Sequence, residues 1–277
     1  MELAQVMHYV RMPSALTVLG IMYGLYGALH IVYSLRVGYW SGSITGLGSF
    51  VRYHYWWVLS VVLGTIMLVL FVDLPVTLLC QKLYNVDVYT AFDFINSMAE
   101  GWFVGGICFT LFLFFEFFAQ HGKSTTRWSA TLESATGKLW HQRAVVSKIG
   151  LMASLYAGLL NTLAKGVFNR ERPSISLDSG HFFHFFTSGM QQIGDLFYAS
   201  NSLPSGHTIT IFAAITPWLL YTRNIGLKLV LLICGILVAI ARVYTINHWL
   251  SDVCLSAVLG IIIGRVIYNI NRQRLEY

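Results

Sequence analysis

An all-α, polytopic membrane bundle is the fold class this sequence predicts, on three observations. Hydrophobic residues make up 56% of the 277 residues and charged residues only 11%, less than half of the about 25% usual in a soluble domain. Six apolar segments meet or approach the about 20 residues needed to cross roughly 30 Å of hydrocarbon. Lysine and arginine sort to alternate ends of those segments, as retention of positive residues on the cytoplasmic side requires.

The six segments run roughly from 55 to 72, 101 to 119, 146 to 164, 209 to 222, 228 to 246 and 253 to 270. The fourth is short and carries Pro217, which predicts a kink or an extension into its flanks. Ahead of them, residues 13 to 35 are also long enough to span. Gly20, Gly24 and Gly27 there fit the close packing of a seventh span, whereas Arg11 and Arg36 at the two ends fit a helix lying in the interface. The sequence accommodates both. Residues 1–54 are therefore expected to form a membrane-associated segment and residues 55–277 a six-helix membrane domain. No basic n-region, compact apolar core and cleavage site follow one another at the N-terminus, so no cleaved signal is expected.

Composition also excludes several functions. The net charge of +6 is scattered between apolar segments and never forms a basic run with interleaved aromatics, which argues against nucleic acid. Cys80, Cys108, Cys234 and Cys254 have no metal-like or disulfide-framework spacing. No repeat, low-complexity tract or soluble linker is visible. The outer connection 174 to 203 holds His181, Phe182, Phe183, His184, Phe185 and Phe186, an aromatic content expected at the membrane surface. Two histidines without further ligands make a weak metal site. Glu116, among phenylalanines near the cytoplasmic end of the second segment, is expected to snorkel.

Charge sorting assigns the ends carrying Lys123 to Lys148, Arg223 with Lys228, and Arg265 to Arg274 to the cytoplasm. The opposite ends carry Lys82, then Lys165, Arg170, Arg172 and Arg242. Cations that disobey the sorting rule need another reason, and all but Lys82 lie in three short polar constellations.

The first constellation is Lys165-Gly-Val-Phe-Asn-Arg-Glu-Arg172-Pro173. Lys165 and Arg172 are two helical turns apart, so a continuing helix would bring both to one face, although Pro173 discourages continuation. A basic interfacial cap explains this stretch equally well on its own. The second is Pro204-Ser205-Gly206-His207-Thr208, where a helix start offers unpaired amides to an anion and glycine admits it closely. Read alone, it is more simply a helix cap with Ser205 as the capping residue. The third is Arg242-Val-Tyr-Thr-Ile-Asn-His248-Trp-Leu-Ser-Asp252. Here Asp252, four residues after His248, can reach the imidazole on a helix and fix its tautomer; the competing explanation is a buried ion pair between helix ends. The conjunction favours chemistry, because independent caps have no reason to converge on one face. Three cations, a helix-terminus anion hole and two histidines suit phosphoryl transfer.

These residues resemble the type 2 phosphatidic acid phosphatase superfamily, whose pattern is K-x6-R-P, P-S-G-H and S-R-x5-H-x3-D. Every spacing is kept, and Ala241 replaces the serine expected before Arg242. The resemblance implies that His248 attacks phosphorus, Asp252 orients it and His207 protonates the leaving oxygen. Lys165, Arg172, Arg242 and the amides near Ser205 and Gly206 would hold the phosphoryl oxygens. Neither metal nor cofactor is called for, since fixed cations supply the charge. A neutral nucleophile beside a protonated acid predicts a bell-shaped pH profile.

The expected function is a lipid phosphatase acting through phosphohistidine on a membrane-borne phosphate: phosphatidylglycerophosphate, polyprenyl diphosphate, phosphatidic acid or a lipid A phosphate. A lipid phosphotransferase differs only in the acceptor. A transporter or anion-binding protein lacks the expected repeats and leaves the His248 and Asp252 pair without a purpose. Compact connections and outer loops without N-x-S/T sites suggest a bacterial inner membrane, with the site on the periplasmic or extracellular face. The bilayer and the lipid phosphate are the expected partners; the sequence is silent on oligomeric state.

Overall fold

The structure, a computed structural model, describes residues 55–121, 130–180 and 201–275. The 13–35 segment, residues 1–54 as a whole and the His181/His184 stretch lie outside the described residues. Each of the six expected segments is helical. In chain order the helices are α1 (Tyr55–Phe71), α2 (Asp73–Lys82), α3 (Val86–Met98), α4 (Gly101–His121), α5 (Ala130–Phe168), α6 (Pro173–Ser179), α7 (Gly206–Tyr221), α8 (Ile225–Tyr244) and α9 (Leu250–Asn271), closed by a 3-10 turn at Arg272–Leu275. No strand occurs among the described residues.

Among the described residues, four helices are long and apolar enough to cross a membrane: Gly101–Gln120, Thr136–Phe168, Ile225–Tyr244 and Leu250–Leu275. A fifth span results if Leu59–Phe71 and Asp73–Lys82, bent by 50° at Val72, act as one. The expected count of six is therefore reached only by adding α7, which has 16 residues. The extension expected around this helix is found on its N-terminal side, where it starts at Gly206. Pro217 is accommodated inside it without a break.

α2, α3 and α6 were not expected. α3 follows from local chemistry: the Asn85 side chain accepts from the amides of Asp87 at 2.9 Å and Val88 at 3.2 Å, satisfying two donors that a helix start leaves open. α6 opens on Pro173, where a missing amide costs nothing because the position has no helical acceptor.

α7 is the centre of the bundle and packs on α5, α8, α9 and α4, while α5 also packs on α4 and α9. Ile149, Met152, Ala153, Ala157, Ile209, Ala213 and Ile267 form the buried core between α5, α7 and α9. The opposite surface of α8 exposes Leu229, Val230, Ile233, Ile236, Leu237 and Ile240. Such an apolar belt suits hydrocarbon rather than water as its solvent. Glu116 is met by Gln120 Nε2 at 2.9 Å on the exposed side of α4.

Small residues set the closest approach in this bundle. A Cβ added at Gly260 would stand 2.6 Å from the Ile209 carbonyl oxygen and 2.9 Å from Phe212 Cβ, whereas one at Gly64 would meet nothing within 4 Å. Gly260→Ala is therefore expected to push α9 off α7 and destabilise the protein by about 1–3 kcal/mol. Gly64→Ala should be neutral or stabilising by up to about 1 kcal/mol. Thermal unfolding in detergent reads both, and equal melting temperatures for the two variants would contradict the packing.

Candidate active site

The three constellations meet at one end of the bundle, where α5 and α8 finish and α7 and α9 begin. Lys165 is in the last turn of α5. That helix stops at Phe168, and Asn169 turns the chain with φ at 39°, a left-handed conformation that asparagine tolerates better than most residues. Arg172 is already in extended backbone ahead of α6. Lys165 and Arg172 therefore do not share the face of one continuing helix; a turn brings the second cation back.

The loop after α5 is zipped to the segment before α7. Ser202 N–H donates to the Arg170 carbonyl at 2.7 Å, Ser202 Oγ to the Glu171 carbonyl at 3.1 Å, and Asn201 Nδ2 to the Lys165 carbonyl at 3.1 Å. Trp249 Nε1 donates to the Glu171 carbonyl at 2.9 Å, adding the start of α9 to the same assembly.

Ser205 occupies the cap position of α7 but makes no side-chain cap bond. Its hydroxyl instead lies 3.0 Å from Thr208 Oγ1. Its amide donates to Ser256 Oγ at 2.7 Å, so of the two positions expected to offer amides to an anion, Ser205 has its amide already engaged. The first intrahelical bond is Ile209 N–H to the Ser205 carbonyl at 3.0 Å, which places the amides of Gly206, His207 and Thr208 before the helical ladder. Gly206 is also close to α5: an added Cβ would come 3.0 Å from Asn161 Nδ2. His207, half-buried, stands in this first turn of α7.

His248 differs most from expectation. Its Nδ1 is 2.6 Å from the Ser202 carbonyl oxygen, whereas the nearest Asp252 oxygen is 3.9 Å away, beyond hydrogen-bond length. A carbonyl only accepts, so Nδ1 carries the proton and Nε2 keeps its lone pair. The carboxylate role assigned to Asp252 in fixing the imidazole thus falls to a backbone carbonyl. Asp252 instead accepts from the Trp249 amide at 3.1 Å and pairs with Arg170 at 2.5 Å, which fixes the start of α9 immediately after His248. The His248 amide donates to the Arg242 carbonyl at 3.2 Å, closing the turn after α8.

Burial lowers the His248 imidazole well below its ordinary value, and Arg242, Lys165, Arg172 and His207 act in the same direction. The ring is therefore neutral near pH 7, the state in which an imidazole nitrogen has a lone pair to offer. The same three cations, Lys165, Arg172 and Arg242, also bear on His207, which places both histidines within one positive field. Arg242 is 7% exposed, and its Nε is buried without a hydrogen-bond partner among the described residues. An unpaired guanidinium donor in such a place is chemically suited to an anionic oxygen. Ala241 is fully buried, and its carbonyl accepts from Thr245 Oγ1 at 2.7 Å.

Sequence reasoning missed Asp73, Ser202, Ser251 and the structural part played by Arg170. Arg170 is 2% exposed; its guanidinium bridges Asp73 at 2.7 Å and Asp252 at 2.5 Å, donates to Ser251 Oγ at 2.7 Å and lies 5.1 Å from the centre of the Trp249 ring. A lone carboxylate at the end of an apolar segment is itself a signal, and Asp73 carried it. Nothing in the sequence marks a carbonyl such as that of Ser202.

The fold and site together define a helical membrane protein with cations and two histidines gathered at one end of its bundle. Residues 147–276 match the model of the PAP2 superfamily, a superfamily of phosphatases acting on phosphate esters. No curated protein and no solved structure matches the chain.

Replacing Arg170 by methionine leaves Asp73 and Asp252 buried without their shared cation. The expected loss of stability is about 3–5 kcal/mol, read by unfolding in detergent. A loss below about 1 kcal/mol would show that the bridge is dispensable.

Proposed function

We propose that the protein is a lipid phosphatase that removes a phosphate from a membrane-borne monoester or diphosphate through a phosphohistidine at His248. One observation carries this reading: Nδ1 of a buried, neutral His248 is occupied by the Ser202 carbonyl, so Nε2 is the bare nitrogen in a nest of three cations. In the first step the Nε2–phosphorus bond forms, the bond from phosphorus to the leaving oxygen breaks, and His207, which takes up a proton once the anionic phosphate offsets the surrounding cations, gives that oxygen its proton. In the second, His207 takes a proton from water, the water oxygen attacks phosphorus, and the phosphorus–nitrogen bond breaks to release phosphate and restore His248. Lys165, Arg172, Arg242 and the amides at the start of α7 hold the equatorial oxygens, where charge concentrates.

An apolar belt between the helix ends suits a bundle whose ends lie at headgroup level, and this supports a substrate anchored in the bilayer. Phosphatidylglycerophosphate, polyprenyl diphosphate, phosphatidic acid and lipid A phosphates share the required group. The charge asymmetry favours the periplasmic or extracellular face of a bacterial inner membrane.

Phosphate release from a panel of these lipids by detergent-purified protein, with chelator present, tests the reading. The wild type should release phosphate and His248→Ala should lose ~10³-fold or more of kcat. Release that needs an added lipid acceptor would point to phosphotransfer, and equal release by both proteins would remove His248 as the nucleophile. The pH profile is a second test. Because the His248 pKa is lowered, its protonation and the accompanying loss of kcat/KM belong below the ordinary histidine range, so activity should hold on acidification through about pH 6.5. A loss of kcat/KM centred at that pH would contradict the assignment.

A further inference from the structure

We propose that Asp73, outside the region matched to the superfamily, is a positioning residue for the His248 nucleophile; the inference rests on the reading in the preceding subsection. Asp73 is 2% exposed and is the first residue of α2, immediately after the 50° break from α1. Both carboxylate oxygens are engaged. Oδ1 accepts the Ser251 amide at 2.8 Å, and Oδ2 accepts Arg170 Nη2 at 2.7 Å and the Ser251 hydroxyl.

Two routes run from these bonds to the imidazole. Through Ser251, Asp73 holds the first turn of α9, three residues after His248. Through Arg170 it holds both ends of the nucleophile. The Arg170 side chain fixes Asp252, whose other oxygen holds the Trp249 amide. The Arg170 carbonyl fixes the Ser202 amide, and the Ser202 carbonyl in turn holds His248 Nδ1. Asp252 supplies only one of the carboxylates that the Arg170 fork needs in order to stay in one orientation. Asp73 supplies the other, from a different part of the chain.

Asp73 does not touch the phosphoryl group in this account. Its removal should leave substrate binding near wild type and slow the attack of Nε2 on phosphorus, because a displacement of about 1 Å at a reacting atom costs up to about 100-fold in rate. The P–O bond still breaks as the N–P bond forms, with His207 supplying the same proton; only the alignment suffers.

Single-turnover formation of phosphohistidine from a radiolabelled lipid phosphate separates alignment from folding, because amplitude counts competent sites and the rate constant reports the attack. For Asp73→Asn we expect near-wild-type amplitude, a rate constant lower by about 10- to 100-fold and a KM changed by less than about threefold, with Asp73→Glu recovering part of the rate. A wild-type rate constant in Asp73→Asn, with or without lost amplitude, overturns the inference. If Asp73→Asn does not fold, Ser251→Ala carries the test: it removes one of the bonds to Asp73 and should slow the same step, and an unchanged rate overturns the inference. A wild type that forms no phosphohistidine would instead overturn the proposed reaction, and the inference with it.

Discussion

The site depends on one buried cation. Arg170 sits between Asp73 and Asp252 with almost no exposed surface, in a part of the protein where an unpaired charge costs several kcal/mol. Two carboxylates, a serine hydroxyl and the Trp249 ring meet that cost together. Because a guanidinium is planar and its donors are fixed, satisfying them in several directions at once leaves it one orientation. Everything attached to it inherits that orientation: the end of α5, the segment before α7, the start of α9 and the bent α1–α2 pair.

The histidine is controlled by the consequences of that arrangement. A carboxylate in hydrogen-bond contact with His248 would favour imidazolium, whereas a carbonyl fixes the tautomer without adding a full negative charge. Asp252 is instead occupied by Arg170, and the cations around His248 oppose its protonation. The imidazole is thus held neutral by burial and by a positive field that would, in the proposed reaction, also attract the phosphate. This arrangement divides the labour between charges: Lys165, Arg172 and Arg242 bear on the two histidines, while Arg170 is bound into the scaffold by Asp73 and Asp252.

Much of this was legible in the sequence, and the reason differs with the feature. The long apolar runs gave the principal helices because hydropathy acts over about 20 residues. α3 escaped notice because it is short and mixes Asp87 and Asp93 with apolar residues, although Asn85 is a recognisable cap. The helical spacing of Lys165 and Arg172 suggested a shared face, yet Asn169 ends the helix between them. The motif residues were visible as side chains of the right kind at the right intervals. The contact that sets the His248 tautomer was not visible, because it is made by a backbone carbonyl 46 residues away. Nor was the pairing of Asp73 with Arg170, separated by 97 residues and brought together only by tertiary packing.

The central claim is that His248 rests as the neutral Nδ1–H tautomer with Nε2 bare. Nitrogen NMR of the resting, histidine-labelled protein in detergent near pH 7, with His248 identified by its loss in His248→Ala, tests this most directly. The account predicts a protonated Nδ1 and an unprotonated Nε2. An imidazolium, or a proton on Nε2, would contradict it.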